Sequence, residues 1–413
     1  MKKTLFNLLI SSTVILLITS CQKTIDKPFV NSEEISSANK SNAKGKDKKV
    51  YVSNLDELYA AVNDPGNSGA EINLAPGTYV LSASYPNGGR LELQTDMSLR
   101  GQPAQVDAVL IDQSALPNAS FRLSPTVTVA PIRIGRGTNS IEWLSVKGGS
   151  VAANPLGAIE SDLIGTATNV TISHVNVDCN GGRIGILFRN RLQEHADRVI
   201  NATLEFTEIS NAITNPNSPG AGLALQNRIS GAQINLAMNS NYIHGCRVGL
   251  LHFNGGLGNN IENCSVDITS HNDRIEGNGC GIDLGGGSAN APLFSNNNTA
   301  TAKMFSSTIK GNGLAQFPPN NEAHFGGMDV SGGFGSNGAS NNIAIIKLFG
   351  CDISDNNGTD IYAYGAFSPA AVIAGTNNRL NLYLYGLSAN AIVDAHASIP
   401  AEPAGTNVVN VYR

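Results

Sequence analysis

Ile268-Thr-Ser-His-Asn-Asp-Arg-Ile275-Glu-Gly-Asn278-Gly-Cys-Gly281-Ile-Asp283-Leu284 is the stretch that decides the fold. It opens on a short alternating segment, turns at a polar corner, and restarts on one apolar residue, Ile275. A few residues later a third short segment, Gly-Ile-x-Leu, begins. Three short strands separated by two corners cannot bury an apolar face alone, so this unit needs copies of itself to stack on.

The copies are present. Val170–Val177, Ala202–Ile209, Leu236–Ile243, Phe305–Ile309 and Leu348–Ile353 repeat the first half. Gly185-Ile-Leu-Phe188, Gly222-Leu-Ala-Leu225, Leu250-Leu-His-Phe253, Gly327-Met-Asp-Val330 and Asp360-Ile-Tyr-Ala363 repeat the second. Ala158-Ile-Glu-Ser161 is a looser, earlier copy. The apolar anchors Val177, Ile209, Ile243, Ile275, Ile309 and Ile353 are spaced 32, 34, 32, 34 and 44 residues apart. That period is one solenoid coil plus surface loops. Asn180, Asn278, Asn312 and Asn356 recur after the anchors, where amides stacked along a corner can bond one another and the backbone. The ends fit a solenoid too. Ser53-Asn-Leu-Asp56 reads as a capping box opening a helix, with Leu55, Leu58 and Val62 on one face, placed to plug the first coil. Ile72–Leu74 and Tyr79–Leu81 flank a Pro76-Gly77 turn, and Thr406–Tyr412 supplies a last strand.

The region 49–413 thus resembles the pectin lyase-like superfamily. Val52-Ser-Asn-Leu-Asp-Glu-Leu58, Ala75-Pro-Gly-Thr-Tyr79 and the Gly-Ile-x-Leu coils carry the resemblance. It implies an all-β chain, a single-stranded right-handed parallel β-helix with an N-terminal capping helix. The superfamily spans polysaccharide lyases, glycoside hydrolases, carbohydrate esterases, phage tailspikes and non-catalytic surface proteins, so it implies carbohydrate engagement without fixing a reaction. The Gly-His-Gly and Arg-Ile-Lys signatures of polygalacturonase-like hydrolases are absent. Thr171-Ile-Ser-His174 resembles the Trp-Ile-Asp-His strand of pectate lyases but has Ser173 where Asp is expected. No catalytic residue carries over by motif.

The first 21 residues read as an export signal. Met1-Lys2-Lys3 is basic, Leu5–Thr19 is an apolar run too short for an ordinary span, and Leu17-Ile-Thr-Ser-Cys21 resembles the lipobox of bacterial lipoproteins. The resemblance implies acylation of Cys21 and attachment to a bacterial cell-envelope membrane, the outer membrane being expected and its periplasmic or surface face left open. Residues 22–48 are polar and Lys-, Ser- and Asn-rich, as in a flexible tether.

Composition narrows the partners. Charged residues make up 14% of the chain and the net charge is −5, which argues against nucleic acid. Cys179, Cys246, Cys264, Cys280 and Cys351 remain after Cys21, an odd number without zinc-site spacing, and read as small apolar residues of the stack.

Chemistry must come from geometry. Side chains alternate along a strand, so the x of Gly-Ile-x-Leu points outward. Aligned coils place Leu187, Ala224, His252, Asp283, Asp329 and Tyr362 in one outward column, with one inserted residue assumed before Leu250. Two carboxylates on adjacent coils, about 4.8 Å apart, repel. One then holds its proton, as a general acid needs, or a calcium ion sits between Asp283 and Asp329. The spacing is also near the ~5 Å of retaining glycosidases, although every stacked column in a β-helix has it. In this reading His252, Asp283 and Asp329 are catalytic and Tyr362 and Tyr364 bind substrate, within a late aromatic group that includes Phe367, Tyr383 and Tyr385. His244, Glu276 and Lys310, with Arg274 beside them, read as an exposed ion-pair ladder. His174, Asp178 and Arg183, then Arg189, Arg191 and His195, form a basic stretch suited to an anionic sugar or to loop bridges with Glu194 or Asp197. Two functions remain open: an envelope lipoprotein engaging polysaccharide as a lyase or hydrolase, and a non-catalytic adhesin or glycan-binding structural protein. The low aromatic content, 6%, favours the second.

Overall fold

The column of anchors predicted from the repeat is the axis of the structure. In the computed structural model Val177, Ile209, Ile243, Ile275, Ile309 and Ile353 are register partners on successive parallel strands, and all are buried. The structure describes residues 48–413 except 126, 152–155, 162–167, 192–198, 214–219, 256–259, 290–291, 315–325, 336–337, 369–374, 388–390 and 400–405. The signal, lipobox and tether readings, with Cys21, therefore lie outside the described residues apart from Lys48, and so do Glu194, His195 and Asp197. Among the described residues no helix is long and apolar enough to cross a membrane.

The fold is a right-handed parallel β-helix. A typical coil has a seven-residue strand, Gln233–Asn239, a bend, a three-residue strand, Tyr242–His244, a corner, and a third strand, Val248–Gly255. The first two strands of each coil stack into a nineteen-stranded sheet. The third stacks into a ten-stranded sheet running from Leu91–Glu92 to Val393–Ile399. Inward residues of all coils merge into one apolar core. The helix Leu55–Asn63 contributes Leu58, Tyr59, Ala61 and Val62 to that core, as a plug requires. Its N-cap is Asn54, one residue later than expected: Asn54 Oδ1 accepts from Glu57 N, while Ser53 N and Oγ donate to Glu57 Oε2. The last strand is Val408–Tyr412.

Corners are held by side-chain ladders. Asn278 donates through both its backbone N and its Nδ2 to Asn312 Oδ1, at 3.0 and 3.1 Å, and Asn312 does the same to Asn356. The run ends on Asp360, which accepts from Asn356 Nδ2. Upstream, Cys246 N donates to Asn278 Oδ1, so a cysteine starts the ladder. Asn180, by contrast, lies one residue past Cys179 and bonds Asp178 and Gly148 outside this column. A second ladder, Asn298–Asn342–Asn378–Asn407, begins in the same way from Cys264. The five cysteines of the described residues form no disulfide among themselves and are buried.

The third strand contains one departure from simple alternation. A Cβ on Gly185 or Gly222 would lie 2.5 Å from Cγ2 of Ile209 or Ile243, so these glycines face the core under the next coil's anchor. Ile186 and Leu223 face the core as well, and only the residue after them points out. The same pattern corrects the placement of His252. Val248 pairs with Ala221 and Leu250 with Leu223, so no residue is inserted before Leu250. Leu251 occupies the outward column, and His252 stands in the inward column Phe188–Leu225–His252–Leu284–Val330–Ala363. It is fully buried; its Nδ1 hydrogen donates to Leu225 O at 3.0 Å, and Nε2 has no partner among the described residues. Burial pushes its pKa down to about 4, against a small opposing effect of the carbonyl.

Asp273 is another buried titratable group. It continues another corner ladder, accepting from Asn241 N and Nδ2 at 2.8 Å and from Ser270 Oγ at 2.5 Å. Burial outweighs these bonds and raises its pKa to about 6.

The two groups give opposite pH signatures. His252 has a depressed pKa, so its contribution is present above pH 6.5 and is lost as pH falls through about 4. Asp273 has a raised pKa, so its contribution is present below pH 3.8 and is lost as pH rises through about 6. His252→Leu, matching Leu225 and Leu284, should stabilise the protein more at pH 4.5 than at pH 7, by about 2–3 kcal/mol. Asp273→Asn keeps the ladder bonds and should stabilise it more at pH 7 than at pH 4.5, by about 1–3 kcal/mol. Urea midpoints of both variants at the two pH values check this; differences from the native protein that do not change with pH would contradict it.

Candidate functional site

The outer face of the ten-stranded sheet carries the chemistry, and its register gives the column in full. It runs Glu92, Arg133, Glu160, Leu187, Ala224, Leu251, Asp283, Asp329, Tyr362, Asp394. Outward does not mean exposed here. Leu187, Ala224 and Leu251 are buried with Leu156, Ile184, Ala221, Val248 and Cys280 in a second apolar cluster, separate from the core. This divides the face into a charged start, an apolar middle, and an acidic and aromatic end.

The charged start is internally paired. Glu92 takes Arg90 Nε at 2.9 Å and Arg133 at 2.5 Å. Glu160 is fully buried and accepts from Arg189 and from Ala130 N. Arg189 therefore serves a buried ion pair with a carboxylate from the preceding coil. Burial pushes the pKa of Arg228 down to about 10, with further depression from Arg189 and Arg191.

At the other end Asp283 and Asp329 are direct register partners, each 4% exposed. Cys280 lies beside them. Burial pushes its thiol up, and the Asp283 and Asp329 carboxylates push it further, so it is a neutral packing group and no nucleophile. Tyr362 follows in the column and is half-buried. The neighbouring outward column is Gly285, Ser331, Tyr364, His396. Tyr364 is 1% exposed, with ring centres of Tyr362, Phe367 and His396 at 6.4, 5.2 and 6.0 Å, so it has no face to offer a sugar. Burial raises its pKa, assisted by the negative charges of Asp329 and Asp394.

Asp394 and His396 were not anticipated. They belong to Val393-Asp-Ala-His396, one coil beyond the last Gly-Ile-x-Leu copy; the alternation of this segment is the signal that could have found them. His396 Nε2 lies 2.7 Å from Asp394 Oδ1, and both side chains are 45% exposed. A proton on Nε2 is held by the carboxylate, which leaves Nδ1 as the acceptor. Of the expected residues the structure brings together Asp283, Asp329, Tyr362 and Tyr364, and His252 is outside the site.

Calcium does not fit the two aspartates alone. Calcium takes six to eight oxygens, and among the described residues no group of three or more His, Cys, Asp or Glu side chains could hold a metal ion. The His244–Glu276–Lys310 cluster is structural. His244, Glu276 and Lys310 do stack in register, but their ion partners are Glu208, Arg274 and Asp355. All three pairs are solvent-facing, worth about 0–1 kcal/mol each.

No family model matches the chain, and no curated protein matches it. Solved structures similar to it include the A-module of the Azotobacter vinelandii mannuronan C-5 epimerase AlgE4, at 13% identity and TM-score 0.34, covering 86% of this chain and 91% of that one. The PL6 family alginate lyase AlyGC is 14% identical with TM-score 0.31, covering 88% and 56%. Pectate lyase Pel9A is 12% identical with TM-score 0.26, covering 85% and 79%. Likenesses this distant carry no argument about this chain, whose β-helix stands on its own parallel register.

Proposed function

We propose that the protein engages a polysaccharide along the outer face of the ten-stranded sheet and acts on it at the Asp283–Asp329–Tyr362–Asp394 column. The observation that carries this reading is the convergence of two nearly buried carboxylates with an accessible His396–Asp394 pair on one flank. Carboxyl and imidazole groups are the usual agents of proton transfer in glycan cleavage. His396 Nδ1 accepts a proton, Asp394 orients the ring, and the Asp283–Asp329 pair supplies the acidic partner. Tyr362 lines the approach. Whether the reaction is elimination or hydrolysis follows from which bond to the sugar is broken.

A glycan-binding role without cleavage is the second reading. It is favoured by the burial of Asp283 and Asp329, since carboxylates 4% exposed meet a substrate only at their edges.

Polyuronates and neutral glucans should be screened for new reducing ends and for unsaturated products. Asp283→Asn, Asp329→Asn and His396→Gln should each lower turnover by about 10²–10⁴-fold, with thermal stability within about 1 kcal/mol of native for the exposed His396 variant. Activity that survives all three substitutions removes this column as the catalytic site. Glycan binding with no product from any substrate selects the second reading.

We further propose that Cys21 is acylated and holds the chain at the envelope membrane, the support being the Leu17-Ile-Thr-Ser-Cys21 segment. One acyl chain gives only marginal binding and two give stable anchoring. Cys21→Ser should therefore move the protein from the membrane fraction to the soluble one. A Ser variant that stays with the membranes, and enters the detergent phase as the native protein does, would show that the anchor lies elsewhere.

A further inference from the structure

A different face carries a second feature. On the nineteen-stranded sheet, from Trp143 onward, the residue at the bend between the first two strands of a coil is left-handed. In the later coils this position is Ser240, Asn272, Ser306, Gly350 and Gly386, with φ of 57, 54, 50, 57 and 67°. Gly and Asn adopt this conformation at little cost, and the small Ser side chain crowds it least. In three consecutive earlier coils the same position is Trp143, His174 and Phe206, with φ of 58, 54 and 48°. Bulky aromatic residues are disfavoured there, and strained backbone of this kind clusters at binding sites.

The three rings form one stack. Trp143 and His174 lie 3.7 Å apart between ring centres, His174 and Phe206 4.8 Å, and both pairs are near parallel. His174 is fixed in place by Ser173 Oγ, 2.8 Å from its Nδ1. Phe206 ends the stack and is 49% exposed, because the next coil offers only Ser240. Beside that open ring face stand hydrogen-bonding groups. Ser240 Oγ donates to Asn239 Oδ1 at 3.1 Å, and the Asn239 amide nitrogen makes no hydrogen bond among the described residues. An apolar disc next to amide and hydroxyl groups matches a pyranose, whose C–H face is apolar and whose rim is hydroxylated.

We infer that the Trp143–His174–Phe206 stack is a glycan-binding platform that seats a pyranose ring on Phe206, with Asn239 and Ser240 bonding its hydroxyls. It rests on the reading that this protein engages polysaccharide, and it adds a second contact on another flank, away from the Asp283–Asp329 column. Such a platform holds a long chain while the other face acts on it, so it affects long polymers and not short oligosaccharides.

The test replaces Phe206 with residues that the bend uses in other coils. Phe206→Asn and Phe206→Ser relieve the backbone, so the melting temperature should be unchanged or higher. Affinity electrophoresis in gels cast with alginate, polygalacturonate or a neutral β-glucan should show the native protein retarded by at least one polymer. Both Phe206 variants should bind that polymer at least about tenfold more weakly, while Tyr51→Ser, at an exposed aromatic residue outside both sites, is retarded as the native protein is. If native and Phe206 variants are retarded equally, the platform is overturned and the polysaccharide reading stands. If the native protein is retarded by none of the three polymers, the polysaccharide reading fails and the platform fails with it. A large fall in melting temperature for both Phe206 variants also overturns it, because the stack would then be structural.

Discussion

Side-chain ladders at the corners are the constraint on which the rest of this structure depends. A coil turns only where its backbone leaves the sheet, and the polar groups freed there are buried by the next coil. One amide per coil satisfies them, donating forward and accepting from behind, as Asn278, Asn312 and Asn356 do. Because each rung bonds the equivalent residue of its neighbour, the ladder also fixes register. A slip of one residue would break every rung and turn every strand inside out. The apolar anchors gain their burial only once that register is set, and loops of different length between coils leave it undisturbed.

Register then determines which chemistry reaches which face. Asp283 and Asp329 meet on the flank because Cys280 pairs with Gly326 and Ile282 with Met328. His252 goes to the core for the same reason, three residues past a glycine that must lie under Ile275. The anchors, the Asn ladder and the strand order were legible in the sequence because each is a periodic demand on residue type. His252 was not, because Val248-Gly-Leu-Leu-His satisfies the repeat in two registers that differ by one residue. A polar histidine suits the outward register; the structure buries it, with one ring nitrogen unbonded among the described residues. Asn180 follows its anchor by the same three residues as Asn278, Asn312 and Asn356, but Cys179 fills the column there, its Sγ under Gly185 as that of Cys246 is under Gly222, and Asn180 takes a left-handed bend with φ 51°.

The candidate site was half legible. Alternation located the outward column but said nothing of what covers it. In a single sheet, outward residues face water; in a β-helix they are as buried as the neighbouring chain makes them, and Leu187, Ala224 and Leu251 form a cluster of their own. That explains why Tyr364 is packed away while Tyr362, two residues earlier on the same strand, is only half-buried. The Asp394–His396 pair is hidden in the sequence because Ile392-Val-Asp-Ala395 has no leading glycine and follows no anchor of the repeat, which ends at Ile353. Without that glycine the alternation of a short strand is too weak a signal to separate from a loop.

The aromatic residues of this chain show how stacking alone can mislead. His271, Phe305, Phe349 and Tyr385 occupy one column with ring centres 4.6–4.9 Å apart, which is the coil spacing itself. Rings stacked in this way cover one another's faces and present only edges, so most of the ladder offers little to a sugar and much to the stability of the solenoid. These positions have ordinary strand geometry and cost nothing to fill with aromatic residues. The bend positions differ, because there the side chain is placed against the preference of its own backbone. A column that uses Ser, Asn and Gly in five coils and Trp, His and Phe in three consecutive ones is under two different demands. Folding requires only the first. The stack at Trp143, His174 and Phe206 therefore calls for an explanation outside the fold, whereas the longer ladder beside it does not.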